Sequence, residues 1–174
     1  MSRKLIIKGA DFSVNGMMDI NGVNVSPIFN FNLNNFTKAS NSDPNYYFPS
    51  PAYQVSKLAG KTVYGAKVVP NNSGTFQIVK LVGYTGNPSG ANTGEISVIG
   101  TYSGSAGKVK TIIFDEPIEV SEDGNTSFGL HPTRGTTLRF YDRVSPYLCF
   151  ITSLTGSWST TSNYGAGIEL LVAE

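Results

Sequence analysis

The segment 52–82 constrains the fold more than any other part of the chain. Its sequence, AYQVSKLAGKTVYGAKVVPNNSGTFQIVKLV, predicts three β-strands in a row, at 53–58, 61–69 and 75–82. Asn, Ser and Gly at 71–74 predict the turn that folds the second strand back on the third. Short amphipathic strands bury their apolar faces only by packing against another layer, so the segment predicts a layered, β-rich domain.

The same pattern of strands and turns continues to the end of the chain. Gly-, Asn- and Ser-rich turns separate further predicted strands at 94–99, 108–114, 117–120, 126–130, 137–141, 147–152 and 166–173. A spacing of about 8–12 residues per strand is typical of a sandwich or a barrel. We therefore expect an all-β fold, an antiparallel two-sheet β-sandwich that is jelly-roll-like, with the last strand pairing with an early strand to close a sheet.

The first part of the chain differs in composition from the rest. Nine of its asparagines fall within 15–45, after a short apolar strand at 4–8. Phe29, Phe31 and Leu33 alternate with asparagines, which predicts a half-buried strand. We interpret 1–45 as an N-terminal strand and an Asn-rich arm, and 46–174 as the β-sandwich domain.

Charge and apolar patterning exclude two classes of partner. The net charge is +1, and no cluster of Lys and Arg is present that would neutralise a phosphate backbone, so we expect no nucleic acid partner. No apolar run is long enough to span a bilayer and no signal peptide is recognisable, so we expect no membrane insertion. Cys149 is the only cysteine and lies in an apolar run, which favours a buried small hydrophobe over a reactive thiol.

The sequence contains no recognisable reaction centre. His131 is the only histidine, and no nucleophile elbow, Walker loop or zinc-protease motif is present, so no catalytic residue, metal or cofactor is predicted. The acidic cluster Asp115, Glu116, Glu119, Glu122 and Asp123 offers oxygen ligands to Ca²⁺, but its spacing differs from an EF-hand loop. We interpret this cluster as solvated strand and turn, and we keep paired-carboxylate glycoside hydrolysis as an alternative without a supporting motif.

Aromatic residues among small polar ones are the better candidates for binding. If consecutive strands are antiparallel and 108–120 counts as one bulged strand, alternate loops share one end of the sandwich. The loops at 70–74, 100–107, 131–136 and 154–165 then lie together. They carry the candidate ligand-binding residues Tyr102, His131, Arg134, Trp158, Asn163 and Tyr164. The aromatic rings would stack on sugar rings and the polar groups would bond hydroxyls. The alternative is that Trp158 and these tyrosines cap the core.

Three stretches resemble a known class of protein. They are KLIIKGADFS at 4–13, the pattern L-A-G-K-T-V-x-G-x-K-x-V-P-x-x-x-G-T-F-x-I-x-K-L at 58–81, and FDEPIEVSEDGNTSFGL at 114–130. These resemble β-sandwich modules of phage-tail-type and prophage-encoded proteins of gut bacteria. The resemblance implies a jelly-roll sheet and a virion or surface module that binds host glycan or partner chains. It assigns no site residues, because its motifs are structural.

Three functions remain open from the sequence. The first is a non-enzymatic, tail-associated or surface-associated module, in a virion or at a cell surface, that recognises a host glycan or receptor. The second is a structural assembly subunit, homo-oligomeric or joined to other tail proteins, whose N-terminal arm docks on neighbours. The third is a glycoside hydrolase.

Overall fold

The computed structural model of the chain describes residues 18–29, 33, 38–39, 45–83, 92–133, 139–142, 148–151, 156–161 and 164–173. Within these ranges it contains one short helix, α1, and fourteen β-strands. In chain order the elements are β1 (Met18–Ile20), β2 (Val23–Pro27), β3 (Lys38–Ala39), β4 (Tyr46–Pro49), α1 (Pro51–Leu58), β5 (Thr62–Val68), β6 (Gly74–Val82), β7 (Glu95–Gly104), β8 (Lys110–Glu119), β9 (Thr126–Pro132), β10 (Arg139–Asp142), β11 (Leu148–Ile151), β12 (Ser159–Thr161), β13 (Tyr164–Ala166) and β14 (Ile168–Ala173).

Two large antiparallel sheets form the sandwich. The five-stranded sheet has the order β1-β2-β14-β5-β8, and the six-stranded sheet has the order β12-β11-β4-β9-β6-β7. A small three-stranded sheet, β13-β10-β3, accompanies them. The all-β, two-sheet fold expected from the sequence is confirmed.

The strand pairs are nested inside one another along the chain. The hairpin β6·β7 lies at the centre, and β5 pairs with β8, β4 with β9 and β2 with β14 around it. Successive pairs alternate between the two sheets. A long hairpin that coils in this way gives the jelly-roll topology, in which β2-β14-β5-β8 faces β4-β9-β6-β7.

The main core lies between the two sheets. Fully buried side chains from both sheets meet there, among them Val63, Ala66, Phe76, Phe128 and Leu170. Phe114 and Phe128 stack with ring centroids 6.5 Å apart, which joins the edge of one sheet to the middle of the other. Apart from the bulge in β5, the core positions alternate along the strands, as expected for strands with one face toward a partner sheet.

The outer face of the six-stranded sheet is also buried in part. Val79 and Leu81 of β6 point away from the main core, because they alternate with Phe76 and Ile78. They pack with Phe48, Cys149, Ile151 and Trp158 into a second apolar cluster. This arrangement explains why β6 reads as a nearly continuous apolar run, since both of its faces are covered over part of its length.

The strand predicted at 53–58 is wrong, because Pro51–Leu58 form helix α1. Pro51 stands at the first helical position, where its fixed φ suits a helix and its missing N–H costs nothing. Pro51, Gln54 and Leu58 are buried, with the spacing of one helix face rather than of a strand. Tyr53 and Val55 favour strand conformation when taken alone, which accounts for the wrong prediction.

Part of the Asn-rich segment lies inside the five-stranded sheet. Asn21 and Gly22, both with positive φ, form the tight turn between β1 and β2, and β2 pairs with β14. Phe29 and Leu33 are buried as predicted, but β2 ends at Pro27, before both of them. The backbone N–H of Phe29 donates to the buried carboxylate of Glu169, 2.6 Å away, which ties this segment to β14. The strand predicted at 4–8 lies outside the described residues.

Candidate functional site

Hydrogen bonds define the two ends of the sandwich. At the end we call the Ser73 end, the Ala106 N–H donates to Ser73 Oγ at 3.2 Å, and Thr75 contacts Thr133. At the opposite end, which we call the Asn125 end, the Gly83 N–H donates to the Asn125 carbonyl at 2.9 Å. The prediction that the loops at 70–74, 100–107 and 131–136 share one end therefore holds for their described residues.

Trp158 does not join those loops. Its side chain is only 2% exposed, and it packs edge-on against Phe48 in the second apolar cluster, with ring centroids 5.4 Å apart. Its indole Nε1–H donates to Asn92 Oδ1 at 3.3 Å, and Asn92 belongs to the connection between β6 and β7. The expected loop position is wrong, because β10 enters a third sheet and the alternation of ends is lost beyond β9. In this position Trp158 offers no open ring face to a sugar.

Tyr102 lies on a strand rather than in a loop. It is half-buried on β7, and its ring tilts against Phe76 of the main core at 6.3 Å. Burial, with a smaller contribution from the charge of Asp115, raises the pKa of the Tyr102 hydroxyl. Tyr102 therefore closes the core between the edge strands β7 and β8. This agrees with the alternative interpretation, in which the tyrosines cap the core.

Among the predicted site residues that the structure describes, His131 lies on an accessible sheet surface. It is half-buried near the end of β9 and stacks on Tyr46 of β4, with ring centroids 4.1 Å apart and planes inclined by 13°. Its Nδ1 lies 3.2 Å from the carbonyl oxygen of Asn45. The cross-strand neighbour on its other side is Gln77 of β6.

Three predicted site residues remain. Arg134 and Asn163 lie outside the described residues. Tyr164 begins β13, where it pairs with Asp142 in the three-stranded sheet.

A row of polar side chains crosses four strands of the six-stranded sheet on the face that carries His131. Tyr46, His131, Gln77 and Thr101 occupy neighbouring registers on β4, β9, β6 and β7. Gln77 Nε2 donates to Thr101 Oγ1 at 3.5 Å. Next to this row, the Thr133 hydroxyl donates to the Thr75 carbonyl at 2.5 Å. We call this set the polar platform; its members are Tyr46, Thr75, Gln77, Thr101, His131 and Thr133.

The polar platform combines flat rings with neutral hydrogen-bonding groups. It contains a phenol, an imidazole, an amide and three hydroxyls, and none of its members is Asp, Glu, Lys or Arg. Below it the same sheet face becomes apolar, with Val79 and Leu81 beneath Trp158. Strand alternation alone gave no reason to single out Gln77 or Thr101, since each looks like an ordinary solvent-facing strand residue. Their grouping depends on the strand order, which the sequence does not display.

The acidic side chains of the described residues do not assemble into a metal-binding group. No group of three or more His, Cys, Asp or Glu side chains that would hold a metal ion occurs among them. Asp115, Glu116 and Glu119 are exposed along β8, as expected for a solvated strand. At the exposed turn that follows, hydrogen bonds from the Ser121 hydroxyl and the Asn125 N–H lower the pKa of Asp123.

Cys149 is buried in the second apolar cluster, as predicted. Desolvation raises the pKa of its thiol to about 12, against a smaller opposing effect of a hydrogen bond with Ser50. A thiol with this pKa stays neutral at physiological pH, and the thiolate is the nucleophilic form.

Comparisons with known proteins give no further guidance. No family model, curated protein or solved structure matches the chain. In the described part of the chain, no helix has both the length and the apolar character needed to cross a membrane.

Proposed function

We propose that this protein is a non-enzymatic recognition module that binds a neutral carbohydrate on the polar platform. The observation that carries the proposal is the row Tyr46–His131–Gln77–Thr101 across four strands, which sets a stacked ring pair beside an amide and a hydroxyl. Sugar rings present apolar C–H faces and a rim of hydroxyls, so they suit aromatic surface combined with neutral donors and acceptors. The absence of charged groups from the platform favours a neutral glycan over an acidic one.

The carbohydrate is proposed to be a host surface glycan or part of a glycosylated receptor. The resemblance of 4–13, 58–81 and 114–130 to phage-tail-type modules supports a place in a tail or on a surface, either in a virion or outside the cell. A non-catalytic role is supported by the platform itself, because glycoside hydrolysis ordinarily requires a pair of carboxylates flanking the bond.

A glycan array tests the proposal with the wild-type protein and the variants Gln77→Ala and His131→Ala. We expect the wild type to bind neutral oligosaccharides, and each variant to lose at least about fivefold in affinity, since each removes a hydrogen-bonding or stacking group worth about 1 kcal/mol or more. Ser97→Ala is the matched control, because Ser97 is an exposed hydroxyl on β7 outside the platform.

Two results would contradict the proposal in different ways. Wild-type protein that binds no glycan on the array would contradict carbohydrate recognition. Binding that Gln77→Ala and His131→Ala leave unchanged would place the ligand elsewhere on the molecule.

A second candidate function is that of an assembly subunit in a tail-like particle. The observation that favours it is the long edge strand β7, whose ten residues lie at the border of the six-stranded sheet. Edge strands present unpaired backbone N–H and C=O groups, which another chain can pair with.

A further inference from the structure

Among the described strands, the four at the edges of the two large sheets differ in how well they are protected. β1 and β12 have three residues each, and short edges offer little to pair with. β8 is long, but Pro117 lacks an N–H donor and the exposed carboxylates carry charge, so both make its edge less suitable for pairing with another strand. β7, in contrast, has ten residues, EISVIGTYSG, with no proline and no lysine. A bulge leaves Ile99 of β7 without a partner on β6. The bulge places no proline or charged side chain on the free edge of β7.

An exposed apolar side chain lies on the same edge strand. In the described part of the chain, the exposed large hydrophobic residues are Val82, Val98 and Val109. Val98 lies on β7 and is 52% exposed, Val82 pairs with the first residue of β7, and Val109 immediately precedes β8. Of these three residues, Val98 is the one that lies on β7 itself, near the middle of the strand.

The charged residues beside β7 are arranged so that two copies related by a two-fold rotation would place opposite charges next to each other. Lys108 and Lys110 lie toward the Ser73 end, and Glu116 and Glu119 lie toward the Asn125 end of the same edge. Asp115 is close enough to raise the pKa of Tyr102, so the acidic segment of β8 runs alongside β7. An antiparallel copy would bring the lysines of one chain opposite the glutamates of the other.

We propose that β7 pairs antiparallel with β7 of a second copy, about its middle, and joins the two six-stranded sheets into one continuous sheet. Main-chain hydrogen bonds supply the affinity, Val98 is covered by the partner, and the flanking charges fix the antiparallel direction. This inference rests on the assembly role as the second candidate function, and it is independent of carbohydrate binding on the polar platform.

Sedimentation velocity on a dilution series tests the pairing with wild-type protein and Val98→Lys. We expect the wild type to form a reversible dimer, and the variant to raise the dissociation constant at least about tenfold, because a lysine at the centre of the edge must be desolvated. Asn24→Lys is the matched control, since Asn24 is exposed on β2 in the other sheet. Circular dichroism verifies that each variant is folded.

A charge-exchange experiment tests the direction of pairing. Lys108→Glu with Lys110→Glu gives one double variant, and Glu116→Lys with Glu119→Lys gives another. We expect each alone to dimerise more weakly than wild type, and an equimolar mixture to form a heterodimer of nearly wild-type affinity.

The outcomes separate the inference from the function on which it rests. A wild type that stays monomeric at every concentration contradicts both the pairing through β7 and an assembly role based on self-association. If Val98→Lys leaves self-association unchanged, the pairing through β7 is contradicted. The assembly role is then not contradicted, because the copies associate through another surface.

Discussion

The side-chain amide of Gln54 joins three backbone groups from two strands. Its Nε2 donates to the carbonyls of Pro49 and Phe128 at 2.8 and 2.9 Å, and its Oε1 accepts the Phe128 N–H at 2.8 Å. The side chain is fully buried, so water cannot replace these bonds. The Gln54 side chain therefore links β4 to β9, whereas other neighbouring strands are linked by main-chain hydrogen bonds. The same bonds orient α1 over the end of the main core.

We predict that Gln54→Ala lowers the free energy of unfolding by about 2–4 kcal/mol, because it leaves buried backbone groups of Phe128 and Pro49 without partners. Gln54→Glu should cost at least as much near neutral pH, since a carboxylate would face two carbonyl oxygens. Urea titration measures both variants. Ser56→Ala on the exposed side of α1 is the control, and a similar loss in that variant would contradict the specific role of Gln54.

The thiol of Cys149 provides a second prediction at the residue scale. Because burial raises its pKa from 9.0 to about 12, the folded state favours the neutral thiol. This contribution to stability is fully present below pH 9 and is lost as the pH rises from about 9 toward 12. We expect Cys149→Ala to have a flatter dependence of unfolding free energy on pH across that interval than the wild type.

A thiol-reactive chromogenic disulfide checks the same point directly. Native protein at pH 8 should react slowly, at the rate of unfolding or local opening, and urea-unfolded protein should react at once. Fast reaction of the native protein would contradict the burial of Cys149.

At the scale of elements, β4 and β9 are held unusually close. A Cβ atom at Gly129 would lie 2.4 Å from the carbonyl oxygen of Tyr47 and 2.5 Å from the ring of Phe48. Only glycine permits this approach, which brings the ring of Phe48 against the backbone of β9. The same strand carries Ser127, whose buried hydroxyl has no hydrogen-bond partner among the described residues.

These two neighbours on β9 should respond in opposite ways to the same substitution. Gly129→Ala should destabilise the protein by about 1–3 kcal/mol, because β4 or Phe48 must move. Ser127→Ala should be neutral or stabilising, since it removes a polar atom that is buried without a bond. Thermal unfolding measures both, and a smaller loss for Gly129→Ala than for Ser127→Ala would contradict the close packing of β4 on β9.

The sequence predicts elements better than it predicts sites, and particular residues show why. The runs at 61–69 and 75–82 are rich in apolar and β-branched residues and became β5 and β6. The polar turn between them reverses the chain direction. Helix α1 was missed because eight residues give only two helical turns, and Tyr53 and Val55 favour a strand. Trp158 was misplaced, and Gln77 was overlooked, because both depend on which strands are neighbours in the folded sheet, and local patterns do not contain this information.

At the scale of the whole molecule, one sheet separates two apolar clusters. The main core lies on the inner face of the six-stranded sheet, and the second cluster lies on its outer face beneath Trp158. Both clusters take residues from β4 and β6, so neither face can loosen far without disturbing the other. The nested pairing also brings together strands that are distant in sequence, which is typical of slow-folding proteins.

We therefore predict that a single cooperative transition unfolds the described domain. Trp158 is the only tryptophan, so its fluorescence reports the outer cluster, and far-UV circular dichroism reports the sheets. The two signals should follow the same urea curve. An earlier fluorescence transition would show that the segment 156–158 detaches from Asn92 before the sandwich unfolds.

The pairing of β2 with β14 has a mechanical consequence. Val25 faces Ala173 and Pro27 faces Leu171, so the start of β2 and the end of β14 lie at the same end of the pair. Tension applied between Val23 and Ala173 would break the bonds of this pair one after another, as in unzipping, rather than all together in shear. We expect the domain to yield at low force when pulled through these strands, and to bear load better when the force enters across its sheets.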